Sequence, residues 1–142
     1  MAACTFFGHR DCPEMIKSRL REILTDLITN HNIDMFYVGH QGRFDAYVHS
    51  ELKKLKQEYP QINYAVVLAY MPGKKTEYDD YSDTMLPEGI ESVHPHYAIS
   101  WRNNWMLRES DYVVTYITHS WGGAAQFANK AIRQDKYVIR IK

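Results

Sequence analysis

The run Tyr64-Ala65-Val66-Val67-Leu68-Ala69-Tyr70 admits few folds. An element at a surface keeps one polar face, but this run has none, so both of its faces must be covered. Its β-branched content and the preceding Pro60 read as a central strand of a parallel sheet rather than a buried helix. A strand of that kind needs helices above and below it, and helical patterns flank it on both sides.

Shorter apolar runs alternate with those patterns, as βα units require. Cys4 to Phe7, Met35 to Val38, Tyr112 to Ile117 and Tyr137 to Ile141 read as four more strands. Ile16, Leu20, Ile23, Leu24, Leu27 and Ile28 recur at helical spacing between Pro13, which suits a first turn, and Asn30. Phe44, Val48, Leu52 and Leu55 mark a second helix, whose Lys53, Lys54 and Lys56 read as a solvated back. A third runs from Tyr97 to Glu109 and a fourth from Ala124 to Arg133. The expected fold is therefore α/β: a Rossmann-like parallel sheet of about five strands with helices on both faces. Met71 to His96 breaks the pattern with Pro72, Gly73, Pro87 and Pro95, and is expected to be a loop that is either functional or mobile, one that could fold over a pocket as a lid.

Residues 1–142 are enough for one domain and too few for two well-buried cores. Lys and Arg total 17 and Asp and Glu total 17, so no overall field draws the chain to nucleic acid or anionic membrane. Nonspecific duplex binding is disfavoured, and anion binding has to come from local geometry. The amino-terminal residues reach Gly8-His9-Arg10-Asp11 before an apolar segment of signal-peptide length can form. No apolar run approaches the roughly 20 residues of a membrane-spanning helix, so a cytoplasmic protein without membrane contact is expected. Cys4 and Cys12 form neither a CxxC pair nor a disulfide framework and are read as reduced thiols.

In an open parallel sheet, ligands sit beyond the carboxyl ends of the strands, where the strand order reverses. Three loops at such ends carry glycine: Gly8-His9-Arg10, Gly39-His40-Gln41-Gly42 and Trp121-Gly122-Gly123. Glycine lets a backbone amide approach a ligand closely, and a helix starting there aims its unpaired N–H groups at an anion, most naturally phosphate. Gly-Gly before a helix also serves an ordinary tight turn, so the convergence of three loops carries more weight than any one of them. Arg10, at the electrostatically wrong end of a helix for a structural cation, reads as an anion clamp. His9, His40 and His119 could contact a ligand or act as structural hydrogen-bonders. Asp45 could hold a ribose hydroxyl or favour the start of its own helix. Phe44, Tyr70 and Trp121 could stack on a base or fill the core. His94-Pro95-His96 lacks further ligands at a recognisable spacing, so neither a metal nor another cofactor is expected. No GxSxG elbow occurs for a serine hydrolase.

Taken in order, Thr5-Phe6-Phe7-Gly8-His9-Arg10, Phe36-Tyr37-Val38-Gly39 with Gly42-Arg43-Phe44-Asp45, and Ser110-Asp111-Tyr112-Val113-Val114 leading to Trp121-Gly122-Gly123-Ala124-Ala125 resemble the small SLOG proteins of bacteria and their phages, from Thr5 to Ile141. That superfamily includes phosphoribohydrolases of the Lonely Guy type, DNA-processing protein A and sensor domains for nucleotide-derived signals. In the phosphoribohydrolases the last glycine loop reads PGGxGTxxE. Matching the glycine pair puts Trp121 at the proline, Ala125 at the third glycine, Gln126 at the threonine and Asn129 at the catalytic glutamate. An amide cannot exchange a proton near neutral pH, so the resemblance implies retained binding without that branch's acid/base chemistry.

The resulting expectation is noncatalytic binding of a nucleotide or ADP-ribose-like signal, as a sensor or, in a phage, as a sequestering anti-defence protein. The ligand is placed against Gly8, His9, Arg10, Gly39, Gly42, Asp45, Arg102, His119, Trp121, Gly122, Gly123 and Ala124. Two alternatives stand beside it. One is a divergent nucleoside 5′-monophosphate phosphoribohydrolase using another carboxylate (Asp11, Asp45, Glu88 or Glu91), and the other is a protein or DNA interaction module. Trp101 and Trp105 could form a homodimer face or belong to the core.

Overall fold

The computed structural model describes residues 2–71 and 82–142. Six parallel strands form one sheet: β1 (Ala2–Gly8), β2 (Ile33–Val38), β3 (Asn63–Val67), β4 (Thr84–Met85), β5 (Tyr112–Tyr116) and β6 (Tyr137–Arg140). The spatial order is β4-β3-β2-β1-β5-β6. The chain thus builds outward from β1 to β4, returns, and builds outward on the other side, so the order reverses between β1 and β5. One strand more is present than the periodicity indicated. β4 is two residues long, pairs with Val66 and Val67, and lies in the segment expected to be all loop. A pair of residues cannot display a period of two, so no pattern announced it. The first part of that segment, 72–81, lies outside the described residues, and with it that part of the expected lid.

Alternation along the strands divides the core in two. Cys4, Phe6, Phe36, Val38, Val66 and Val114 point toward helices α1 (Lys17–Asn30) and α2 (Gly42–Glu58). Phe7, Val67 and Val113 point the other way, toward α3 (Ala98–Arg108) and α4 (Gly123–Arg133). Leu20, Leu24 and Leu27 form the inner stripe of α1, and each such buried side chain contributes roughly 1.5–3 kcal/mol. Both ends of the edge strand β6, Tyr137 and Arg140, are exposed, whereas β1 is buried from Ala3 to Phe7.

The apolar run around β3 behaves as its composition requires as far as Ala69. Leu68 donates its N–H to Met85 O at 2.9 Å, extending the pairing, and Ala69 is buried. Tyr70 departs: it is half-exposed, and its hydroxyl donates to Pro95 O at 3.0 Å. Cys4 and Cys12 are free, buried thiols; burial pushes Cys4 far up and Cys12 up to about 11, so neither is a ready nucleophile. No helix among the described residues is long and apolar enough to cross a membrane.

Candidate functional site

A cleft of about 440 Å³ opens at the carboxyl ends of β1 and β5, where the strand order reverses. Every residue expected at the ligand except Gly39 and Gly42 lines it. Those two lie behind its wall. A methyl group on Gly39 would come within 2.8 Å of Asp45 Oδ2, and one on Gly42 within 2.6 Å of Arg10 Cα. Of the aromatic candidates, Phe44 is core, packed against Gly8, and Tyr70 lines a different hollow. Only Trp121 reaches the cleft, with 69% of its surface exposed. His40 is exposed and lies elsewhere.

One wall comes from the glycine loop before α4. Gly122 holds φ +94°, a conformation that suits glycine, and no side chain caps the helix. The first intrahelical bond runs from Gln126 N–H to Gly122 O at 3.1 Å, leaving the N–H groups of Gly123, Ala124 and Ala125 without helical acceptors. Arg10 stands on the loop after β1, its guanidinium donating from Nη2 to Gln41 Oε1 at 3.1 Å. Arg43 N–H to Arg10 O at 3.0 Å ties that loop to the start of α2.

The floor holds two buried ionisable groups. Arg102, 2% exposed, donates from Nη1 to Val67 O and from Nε to Asn103 Oδ1, both at 2.8 Å, and its Nη2 makes no hydrogen bond among the described residues. Burial works against its charge, partly offset by Asp45. Asp45 accepts the Gln41 N–H on Oδ2 at 3.0 Å, closing the start of α2 much as a capping box does, and its Oδ1 makes no hydrogen bond among the described residues. Burial raises its pKa to about 6, against the opposing influence of the Gln41 N–H, Arg102 and Arg10. Among the described residues, Asp45 makes no ion pair within 4.0 Å with either arginine. Arg102 and Asp45 thus line the cleft together and attract each other without a direct ion pair.

The rim beside them is a ladder of rings. His9 and His119 stack with centroids 3.6 Å apart at 17°, and His119 and Trp121 at 3.8 Å and 20°. His9 Nε2 accepts the His119 backbone N–H at 3.3 Å, which requires that nitrogen to be unprotonated, and the His9 backbone N–H donates to Tyr116 O at 3.2 Å. Burial depresses the His9 pKa, and the charge of His119 pushes it the same way.

Gln41, Asn103, Ile99 and Met106 also line the cleft and escaped the sequence reading. Asn103 carried a signal in hindsight: an amide beside an arginine on an inward helix face is a ready partner for Nε. Asn129, matched to a catalytic glutamate, lines a separate groove of about 650 Å³ with Thr115, Ile132 and Arg140. The expected acidic position is thus vacant in chemistry and lies outside the cleft. Of the carboxylates offered as replacements, Asp11 and Asp45 line the cleft and Glu88 and Glu91 do not. Trp105 meets Tyr37 edge-on at 5.1 Å and Trp101 covers Gly89, so both rings have packing partners within the chain. The lining residues Arg10, Arg102, Asp11 and Asp45 balance in formal charge, which leaves the α4 amides as the uncompensated attraction for an anion.

No protein-family profile matches the sequence, and no curated protein does. Among solved structures, the chain is similar to DNA processing protein A from Streptococcus pneumoniae, with a TM-score of 0.70 at 13% identity. The match covers 99% of this chain and 50% of that one, so the chain spans half the length of that protein. At this identity the likeness establishes the fold: an α/β, Rossmann-like parallel sheet.

Proposed function

We propose that the chain binds a phosphate-bearing, nucleotide-derived small molecule in the cleft between β1 and β5 and returns it chemically unchanged. One observation carries this reading. The uncapped amino terminus of α4 opens through Gly122 and Gly123 onto a cleft with Arg10 on its rim and Arg102 and Asp45 in its floor. Phosphate oxygens accept from the α4 amides, Arg10 adds a mobile cation, and a ribose hydroxyl pair meets a donor at Arg102 Nη2 and an acceptor at Asp45 Oδ1. The chain would then report a signal to a partner or hold it away from one.

Thermal shift against nucleoside monophosphates, ADP-ribose, its cyclic isomers, cyclic oligonucleotides and a short single strand of DNA tests this, with chromatography of each recovered ligand. A shift by a mononucleotide-sized compound, recovered intact, is the expected result. The DNA arm is included because the structural neighbour is a DNA processing protein. A response to the strand alone would overturn the small-molecule reading.

One observation favours a second reading. Asp45, with a pKa near 6 inside the cleft, can exchange a proton at physiological pH, which Asn129 cannot. A phosphoribohydrolase would protonate the leaving base and add water to the ribose carbon, releasing free base and ribose 5-phosphate. Detection of those two products, lost in Asp45→Asn, would replace the binding reading.

A further inference from the structure

We infer that the ligand carries a planar aromatic base, held as the fourth ring of the His9–His119–Trp121 ladder on the outer face of Trp121; this rests on the phosphate-binding reading above and deepens it. Of the exposed large hydrophobic residues among the described ones, Trp121 alone lines the cleft. An indole buries a large area once covered, so leaving 69% of it in water forgoes stabilisation that a flat ligand can recover.

The ladder makes Trp121 a fixed platform. His119 lies between two rings at 3.6 and 3.8 Å, and its buried Nδ1 has no hydrogen-bond partner among the described residues, so stacking rather than hydrogen bonding sets the position of that ring. His9 anchors the inner end through the His119 N–H. One face of Trp121 is taken by His119, and no other ring meets its second face among the described residues. A preformed platform spares the ligand the cost of ordering a loose side chain. Trp121 also stands two residues before the first free amides of α4, so one 5′-nucleotide can place its base on the indole and its phosphate on the helix. Stacking reads the face of a base rather than its edge, so the subsite prefers large rings: purines before pyrimidines.

Calorimetric titration with adenosine 5′-monophosphate and with ribose 5-phosphate separates base from phosphate. In Trp121→Ala the affinity for adenosine 5′-monophosphate is expected to fall roughly tenfold to a hundredfold, with that for ribose 5-phosphate within about twofold of the parent. Trp121→Phe should recover most of the loss. Equal loss for both probes, or none for the nucleotide, would overturn the inference while leaving the phosphate site standing. Failure of the unaltered protein to bind either probe would overturn the phosphate reading and the inference with it.

Discussion

The glycines on the two sides of the cleft look alike in sequence and do opposite things. On the β1 and β2 side, a methyl group on Gly8 would lie 2.3 Å from the Phe44 ring, and one on Gly42 would meet the backbone of Arg10. On the α4 side, methyl groups on Gly122 and Gly123 would meet nothing within 4 Å. The first set lets protein approach protein, pulling α2 against β1 so that Arg10, Gln41 and Asp45 converge. The second leaves a space that protein does not fill. A glycine at the end of a strand thus signals close approach without saying by what, and the emptiness beside Gly123 is what supports the proposed ligand side.

The largest expected effect lies on the packed side. Gly8→Ala must displace the wholly buried Phe44 ring, and overpacking of that kind costs about 1–3 kcal/mol, more where backbone cannot yield. Gly8 is held by a central strand and Phe44 by the buried face of α2, so we expect a loss of at least about 3 kcal/mol in urea denaturation. Adding Phe44→Leu, which makes room at the point of contact, should return part of it. Unchanged stability in Gly8→Ala would break the contrast at its first member.

Asp45 sharpens the comparison because it belongs to the packed side by position and to the open side by chemistry. Its folded pKa of about 6 stands above its ordinary 3.8, so the unfolded chain releases the proton first as pH rises. Its ionisation therefore removes stability between about pH 4 and pH 6, in full above that, by roughly 3 kcal/mol. Asp45→Asn keeps an oxygen for the Gln41 N–H and should stabilise the protein by about that much at pH 8 and not at all at pH 4. A difference independent of pH would mean that the carboxylate is not ionised against its burial. The gain, if found, is itself informative: a helix start needs only an acceptor there, and a charge held at a loss in a cleft points to use.

His9 contributes the opposite slope. Its folded pKa lies below the ordinary 6.5, so the stability tied to its neutral ring is complete above that pH and drains as pH falls through the folded value. His9→Gln, which retains an acceptor for the His119 N–H, should flatten the decline on the acid side in a series of denaturation curves. A decline as steep as the parent's would assign it to other groups.

The strands and helices with two or more turns of pattern were legible, because burial on two faces writes itself as an apolar run and burial on one face as a stripe. β4 was not, being too short to repeat anything. The gathering of Arg10, Asp45, Arg102 and His119 was foreseeable from topology, since each stands after a strand or on a helix facing the strand ends. What remained hidden was the relation between neighbours. That His9 and His119, 110 residues apart, stack face to face depends on β1 and β5 being adjacent and in register from Cys4–Tyr112 to Gly8–Tyr116. Asn129 was misplaced for a similar reason. Its spacing from the glycine pair matched a family motif, but its place on the helix directs it to the groove beside β6.

The smallest change in stability belongs to the substitution that most directly tests the contrast. Gly123 opens α4 without a positive φ, and its methyl would stand in open space, so Gly123→Ala should leave stability unchanged or raise it by about 0.5–1 kcal/mol, the helical preference of alanine over glycine. Binding should respond in the other direction. A methyl at the first free amide holds phosphate oxygens off the helix end, and we expect at least about a tenfold loss of affinity for ribose 5-phosphate, since charge-assisted hydrogen bonds are among the strong ones and every 1.4 kcal/mol is tenfold. If Gly123→Ala destabilises the protein as Gly8→Ala is expected to, both glycine sets serve packing and the cleft loses its anion subsite. If it stabilises the protein and leaves affinity intact, the amides of α4 are exposed for some other reason. Only a protein that becomes firmer and binds more weakly has given up stability at Gly123 to keep that helix end open to a ligand.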